Sequence, residues 1–99
     1  MSSCYILFSK KLDRYYIGFT TLPIDERLDH HLSNYYDNKF TSKANDWIVF
    51  LEIKCPNADT ARKVEAHIKR MKSKRYIENL KKYPEMVENL IAKYDVKHR

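Results

Sequence analysis

Glycine is nearly absent from this chain: its 99 residues contain one, Gly18, together with three prolines and two cysteines. A domain of this size usually places several glycines in turns. A single glycine inside the aromatic, β-type run of residues 15–20 therefore indicates a backbone requirement rather than a loose segment. Glycine within a strand usually marks a bulge or the close approach of another group to the backbone. We expect one of these two features at Gly18.

Long hydrophobic runs are also missing. No apolar stretch reaches the length needed to cross a membrane, and the first residues lack the pattern of a secretory signal peptide. The length and a hydrophobic content of 43% indicate one globular domain over residues 1–99, and we expect it to be cytoplasmic. Cys4 and Cys55 lie in or beside apolar segments without metal-type spacing, so they are expected to be buried free thiols.

Acidic residues are outnumbered by basic ones: 13 Asp and Glu stand against 19 Lys and Arg, a net charge of +6. The excess is concentrated between residues 62 and 82, where nine Lys or Arg accompany two acids. This balance favours a polyanionic partner, although a solvated helix face has a similar composition. We interpret the stretch as a surface that faces nucleic acid. Its candidate contacts are Lys63, Lys69, Arg70, Lys72, Lys74 and Arg75.

Three short aromatic or apolar runs, residues 3–9, 15–20 and 47–53, predict β-strands. The first two form a hairpin across a polar turn. If that turn has an even number of residues, period-two alternation places Tyr5 and Tyr16 on the same face of the sheet. The third run is the most apolar, which indicates a strand that is central or well covered.

Apolar periodicity predicts the helices. A first helix begins at Pro23, and its apolar stripe is Ile24, Leu28, Leu32 and Tyr35. A second begins within residues 56–59, and its stripe is Ala61, Val64, Ile68 and Met71. Shorter helices cover residues 76–82 and 84–94, and the last one buries Val87, Leu90, Ile91 and Tyr94. The order β-β-α-β-α-α-α describes an α+β fold, a small three-stranded sheet with flanking helices.

Two of the predicted helices carry charged side chains at the margin of their buried stripes. Arg27 and His31 are four residues apart and share a face of the first helix. Glu65 borders the stripe of the second helix, and a carboxylate at a core margin needs a partner. One interpretation is a structural salt bridge between Arg27 and Glu65, with His31 an ordinary half-buried histidine. The other is a phosphodiester site, because one carboxylate with open water positions suits Mg²⁺ or Mn²⁺.

Taken in order, these residues resemble the GIY-YIG nuclease family, in particular its small stand-alone members related to the N-terminal domain of an excinuclease subunit. The two halves of the motif correspond to residues 3–5 and 16–18, with the motif tyrosines eleven positions apart. The family's helical arginine matches Arg27, a histidine found in part of the family matches His31, and its metal-binding glutamate matches Glu65. The resemblance covers residues 3–80 and implies the GIY-YIG endonuclease fold.

The resemblance also implies a reaction: metal-dependent hydrolysis of DNA phosphodiester bonds, in repair or recombination, with one Mg²⁺ or Mn²⁺ on Glu65. Arg27 would neutralise charge on the phosphate, and Tyr5 or Tyr16 would orient or deprotonate the attacking water with help from His31. Gly18 would leave room beside the tyrosines. The basic stretch would position the backbone of the DNA, branched or otherwise structured DNA included, without reading its sequence.

The chain departs from the family pattern in several places. Ser3 stands where the first half of the motif has glycine, and Phe19 and Glu26 stand where some relatives have lysine. Many relatives have an asparagine well after the glutamate, and the nearby candidate here is Asn79. Two further hypotheses therefore stay open. One is a nucleic-acid-binding domain that keeps this fold with weak or no cleavage of its own, and the other is a structural protein that uses the same charges in salt bridges.

Overall fold

A computed structural model of the protein describes residues 2–26, 28 and 44–95. Its strands are β1 (Ser2–Ser9), β2 (Arg14–Thr20) and β3 (Ile48–Cys55). Its later helices are α1 (Ala58–Met71), α2 (Lys74–Lys82) and α3 (Pro84–Tyr94). Residues 24–26 and 28 are also helical, directly after Pro23. The α+β fold with a three-stranded sheet is confirmed, whereas Leu32 and Tyr35 lie outside the described residues.

The sheet is antiparallel with the strand order β2-β1-β3, so β1 is the central strand. Seven of its eight residues are buried, because β1 has a neighbouring strand on each side. β3 is an edge strand, and its Ile48 is 58% exposed. A central position for β3 is therefore wrong. Its apolar sequence reflects packing on its faces and carries no information about which strands lie beside it.

The β1–β2 turn consists of four residues, 10–13, which is the even number that brings Tyr5 and Tyr16 to one face. Asp46 stabilises this turn with two hydrogen bonds. Its carboxylate accepts a hydrogen bond from the Ser9 hydroxyl at 2.6 Å and from the backbone N–H of Lys11 at 2.9 Å. The Ser9 hydrogen bond, followed by that of Lys11, lowers the pKa of Asp46 below its ordinary value.

Each face of the sheet packs against its own apolar cluster, because successive side chains of a strand point to opposite faces. The cluster on the side of the later helices has the buried members Cys4, Ile6, Ile53, Cys55, Ala61, Val64, Ile68, Ile77, Leu80 and Leu90. The cluster on the other side has the buried members Tyr5, Leu7, Ala44 and Trp47, with Ile24 and Leu28 packed against them. The sheet is thus the middle layer of three.

Helix α1 covers one face of the sheet. Asn57 caps its start, since its Oδ1 accepts the N–H of Thr60 at 2.8 Å. Three predicted stripe residues are buried, namely Ala61, Val64 and Ile68. The fourth, Met71, is 45% exposed, because it is the last residue of the helix and the chain turns away after it.

The chain turns at Lys72, which has a left-handed backbone with φ 48° and ψ 42°. Residues other than glycine rarely adopt this conformation. Ser73 then starts α2, since its hydroxyl accepts the N–H of Tyr76 at 3.1 Å. Leu90 of α3 is buried, and Val87, Ile91 and Tyr94 pack against the same cluster as predicted. Across the described ranges, none of the helices is long and apolar enough to cross a membrane.

The two cysteines are free and buried, as predicted, with exposures of 0% for Cys4 and 2% for Cys55. Burial is the main reason that the pKa of the Cys4 thiol is raised far above its ordinary value, and the nearby Cys55 and Glu65 raise it further. The pKa of Cys55 is raised by burial as well. Both thiols therefore belong to the core and are chemically inert in the folded protein.

Candidate active site

Tyr5 and Tyr16 lie side by side on one face of the sheet. Tyr5 comes from the central strand β1 and Tyr16 from the edge strand β2. Their ring centroids are 6.4 Å apart, with the ring planes inclined at 37°. Tyr5 has no exposed surface, whereas Tyr16 is half-buried. Of the two, Tyr16 therefore offers the surface that a substrate can reach.

Gly18 lies directly opposite Tyr5 in the β1–β2 register, and the tyrosine ring covers it. A Cβ atom at position 18 would lie 2.6 Å from the hydroxyl oxygen of Tyr5 and 2.7 Å from its Cζ. The φ of Gly18 is not positive, and the register runs through it without a shift. Of the two expected features, the structure contains the close approach, and glycine is needed here for space.

Trp47 is a second aromatic neighbour of Tyr16. Their ring centroids are 6.5 Å apart in an edge-on arrangement with an interplanar angle of 67°. Trp47 is 2% exposed and belongs to the same cluster as Tyr5 and Leu7. The ring of Tyr16 therefore packs against a buried aromatic cluster.

Glu65 extends from α1 and forms an ion pair with Lys69 one turn later. The distance from its Oε2 to the Lys69 Nζ is 3.0 Å, and the exposed fractions of the two side chains are 18% and 54%. Glu65 acts electrostatically on Cys4, which neighbours Tyr5 in β1 and points to the opposite face. Glu65 and Tyr5 therefore lie on different sides of the sheet.

The free edge of β2 joins the two sides. An open pocket of about 340 Å³ at this edge is lined by Tyr15, Tyr16, Ile17 and Lys69. Tyr16 reaches the pocket from one face, and Lys69 reaches it from α1 on the other. Lys69 is also the ion-pair partner of Glu65, so the pocket is one side chain away from the carboxylate.

A second pocket, of about 260 Å³, continues from the first and is basic. It shares Tyr15, Ile17 and Lys69 with the first pocket, and its remaining lining is Arg14, Ile68, Lys72, Ser73, Lys74 and Ile77. Three of the six predicted nucleic-acid contacts thus meet in one place, joined by Arg14.

The other three predicted contacts point elsewhere. Lys63 pairs with Asp59 on its own helix at 3.1 Å. Arg70 donates a hydrogen bond to the Tyr94 hydroxyl at 3.3 Å, beside the helix α3. Arg75 is exposed on α2. The basic stretch therefore supplies more than one surface, and one part of it borders the tyrosines.

The ligands available at Glu65 can be compared with those that a divalent ion needs. Among the described residues, no three His, Cys, Asp or Glu side chains converge as a metal cluster would. Mg²⁺ and Mn²⁺ do not require such a cluster when the substrate supplies phosphate oxygens and water completes the shell. A carboxylate that is 18% exposed fits this kind of ion.

Arg27 and His31 lie outside the described residues. The helical residues Ile24 and Leu28 that flank Arg27 in sequence pack against the cluster that contains Tyr5. Asn79 is half-buried on α2 but lines neither of the two pockets. Its backbone carbonyl accepts the N–H of Tyr83 at 2.8 Å, which helps to end the helix.

The structure shows the surroundings of the three residues that depart from the family motif, Ser3, Phe19 and Glu26. The Ser3 hydroxyl donates a hydrogen bond to Oε2 of Glu52 on β3 at 2.9 Å. Phe19 packs on the α1 side, with the guanidinium of Arg62 5.9 Å from its ring centroid. Glu26 is exposed in the first turn after Pro23. These residues are accommodated in the fold without a buried unpaired charge.

Sequence reasoning missed two residues that organise this region. Arg14 was expected in the polar turn, but it begins β2 and lines the basic pocket. Its place next to the tyrosines Tyr15 and Tyr16 was the available signal. Asp46 lies 37 residues from the Ser9 hydroxyl that it binds. No local pattern identifies a contact at that separation.

The chain was compared with protein-family models, with curated proteins and with solved structures. A family model, described as the GIY-YIG catalytic domain, matches residues 1–81. Neither the curated proteins nor the solved structures give a significant match. The matched range contains the three strands and the helix α1, and it ends within α2, before α3.

Proposed function

Since this chain belongs to the GIY-YIG family, whose nucleases act on DNA, we propose that it is an endonuclease that hydrolyses DNA phosphodiester bonds with one Mg²⁺ or Mn²⁺. The observation that supports this most directly is the shared edge pocket. It brings together a half-buried tyrosine, Tyr16, and Lys69, the ion-pair partner of Glu65. Water orientation, ion binding and phosphate binding are the three tasks of a hydrolytic phosphodiester site, and these groups match them.

In this proposal Glu65 holds the divalent ion through its carboxylate. An ion held there would supply the positive charge that polarises the scissile phosphate and stabilises the leaving oxygen. Lys69 keeps the carboxylate oriented before the ion binds, at a distance of 3.0 Å. Its ammonium group is more than half exposed, so it is free to turn to a phosphate oxygen once Glu65 is engaged.

Tyr16 orients the attacking water with its hydroxyl. The water oxygen bonds to phosphorus while the bond to the leaving oxygen breaks, and a proton lost by the water balances the one that the leaving oxygen takes up. Tyr5, which has no exposed surface, acts as a positioning residue that packs against Tyr16 and across Gly18. By the resemblance, Arg27 neutralises phosphate charge in the transition state, and His31 assists proton transfer.

We propose that this activity serves DNA repair or recombination, in the cytoplasm, with branched or otherwise structured DNA among the substrates. This follows the small excinuclease-like members of the family, which the sequence resembles. The three cationic side chains Lys69, Lys72 and Lys74 that meet at the basic pocket support a sequence-independent grip on the DNA backbone.

A cleavage panel tests the proposal. Duplex, flap, branched and single-stranded DNA are incubated with Mg²⁺ or Mn²⁺ and either the wild type, Glu65→Gln or Glu88→Gln. Glu88→Gln is the matched control, because it makes the same change at an exposed residue of α3. We expect Glu65→Gln to lower the cleavage rate by about 10²-fold or more while DNA binding persists, since charge stabilisation in a transition state has this magnitude. Cleavage by Glu65→Gln at the wild-type rate would refute the assignment.

One observation favours a second function, a nucleic-acid-binding domain with weak or no cleavage of its own. Lys69 already occupies one oxygen of Glu65, so a divalent ion must share the carboxylate with this ammonium group or displace it. In that case the wild type binds DNA in a salt-dependent way and cuts none of the substrates with either ion. The same panel separates the two functions.

A further inference from the structure

The two edge pockets form one continuous depression, which we call the β2 groove. It consists of the residues that line the first pocket (Tyr15, Tyr16, Ile17 and Lys69) and those that extend it into the second (Arg14, Ile68, Lys72, Ser73, Lys74 and Ile77). The volumes of the two parts are about 340 and 260 Å³. One end of the β2 groove has apolar walls and the other end is cationic.

At the cationic end of the β2 groove, some of the basic side chains lack an acidic partner among the described residues. Lys74 is paired with Asp13, whose carboxylate and backbone carbonyl lie 3.2 and 2.9 Å from its Nζ. Lys69 is paired with Glu65. Arg14 and Lys72 form no ion pair within the part of the chain that the structure describes. Two cations therefore face the same small pocket, which is the arrangement expected for a phosphate.

The apolar end of the β2 groove favours a different chemical group from the phosphate at the cationic end. Tyr15 and Ile17 supply its wall on the α1 side, and Tyr16 borders it from the other face of the sheet. All three residues are half-buried. An intact duplex offers phosphates, sugars and the edges of stacked bases, so it has no flat apolar surface to place there. A base that is out of the stack has such a surface, and aromatic side chains bind it without reading its identity.

We propose that the β2 groove binds an unpaired nucleotide, with its base on the ring of Tyr15 beside Ile17 and its flanking phosphate between Arg14 and Lys72. The inference rests on the proposed function in one respect, namely that the nucleic acid cleaved at Glu65 is the one that enters the β2 groove. It defines the substrate class as DNA with a single-stranded segment next to the cleaved bond.

Binding without a divalent ion tests this inference independently of cleavage. Fluorescence anisotropy in EDTA compares a short oligothymidylate, a blunt duplex of equal length and an abasic deoxyribose-phosphate chain. We expect the oligothymidylate to bind about fivefold or more tightly than either of the others, since stacking of one base on an aromatic side chain has at least this effect. Equal or tighter binding of the duplex, or of the abasic chain, would overturn the inference.

Two variants locate the phosphate. We expect Arg14→Gln and Lys72→Gly each to weaken oligothymidylate binding and to reduce the slope of log K against log salt by about 0.7, the value for one lost contact on a single strand. Lys82→Gln is the matched control, because it removes one charge at the far end of α2. Lys72→Gly also excludes loss of fold as the cause, since glycine suits the left-handed backbone there. A reduction in Lys82→Gln equal to that in the β2 groove variants would refute the location.

The outcomes separate this inference from the proposed function. If the wild type prefers single strands and Arg14→Gln binds oligothymidylate more weakly, but neither protein cuts DNA, the inference stands and the nuclease assignment fails. If the wild type cuts DNA but binds duplex and single strand alike, the nuclease assignment stands and the inference fails.

Discussion

Gly18→Ala places one methyl group against the buried Tyr5. The new Cβ would lie 2.6 Å from the Tyr5 hydroxyl oxygen and 2.7 Å from Cζ, whereas ordinary contacts between heavy atoms are about 3.5–4.0 Å. The end of the Tyr5 side chain must therefore retreat by about 1 Å. Tyr5 has no exposed surface and belongs to the cluster of Leu7 and Trp47, so it has no open space into which to move.

Two opposing terms set the size of the effect. Insertion of a methyl group into a tightly packed site costs about 1–3 kcal/mol. Alanine restricts the unfolded chain more than glycine does, which returns about 0.4–1 kcal/mol at a backbone conformation that alanine tolerates. The expected net loss in the free energy of unfolding is about 1–2 kcal/mol, which lowers the Tm of a domain of this size by about 5–15 °C.

Urea unfolding followed by tryptophan fluorescence measures this loss. Trp47 is the only tryptophan and lies in the same cluster as Tyr5, so its emission reports on this side of the sheet. The control is Gly18→Ala in a Tyr5→Leu background, where the obstructing ring end is gone. There the substitution should be neutral or slightly stabilising. An equal loss in both backgrounds would show that Tyr5 is not the reason for the glycine.

Three further outcomes follow from other parts of the fold. Lys72→Gly should raise the free energy of unfolding by about 0.5–1 kcal/mol, because it relieves a left-handed backbone at the end of α1; an unchanged urea midpoint would contradict this. Asp46→Asn should destabilise the protein at neutral pH. Because the folded-state pKa of Asp46 is lowered, its stabilisation is complete above the unfolded pKa of about 3.9 and disappears as the pH falls through the folded value, so thermal unfolding of variant and wild type should converge in acid. Cys4 and Cys55 should resist iodoacetamide in the native protein and react on unfolding, and rapid native labelling detected by mass spectrometry would contradict their burial.

The local parts of the fold were predictable from the sequence. Alternation in β1 and β2 was enough to place Tyr5 and Tyr16 on one face, since the side chains of a strand repeat every two residues. Proline and asparagine at helix starts were enough to locate α3 and α1. The strand order was not predictable from the apolar content of β3, because burial of a strand's faces is independent of its position in the sheet.

The geometry of the candidate site was not predictable from the sequence. Glu65 was recognised at a core margin, but its ion pair with Lys69 depends on a rotamer that periodicity does not determine. That Glu65 and Tyr5 lie on opposite faces follows from the tertiary position of α1, which no sequence window contains. Arg14 shows the same limit, since it belongs to the site only because β2 is an edge strand.

The contact between Gly18 and Tyr5 also selects the pairing of the hairpin. The tandem tyrosines 15 and 16 would allow β2 to slip by one residue against β1 and still present an aromatic ring on the Trp47 side. Such a slip would place Ile17 or Phe19 opposite Tyr5 in place of Gly18. Either side chain would collide with a ring that leaves no room even for a methyl group. The single glycine of the chain therefore determines the register of the hairpin. Only the alignment that pairs Gly18 with Tyr5 avoids a steric clash, and a shift by one residue in either direction is excluded.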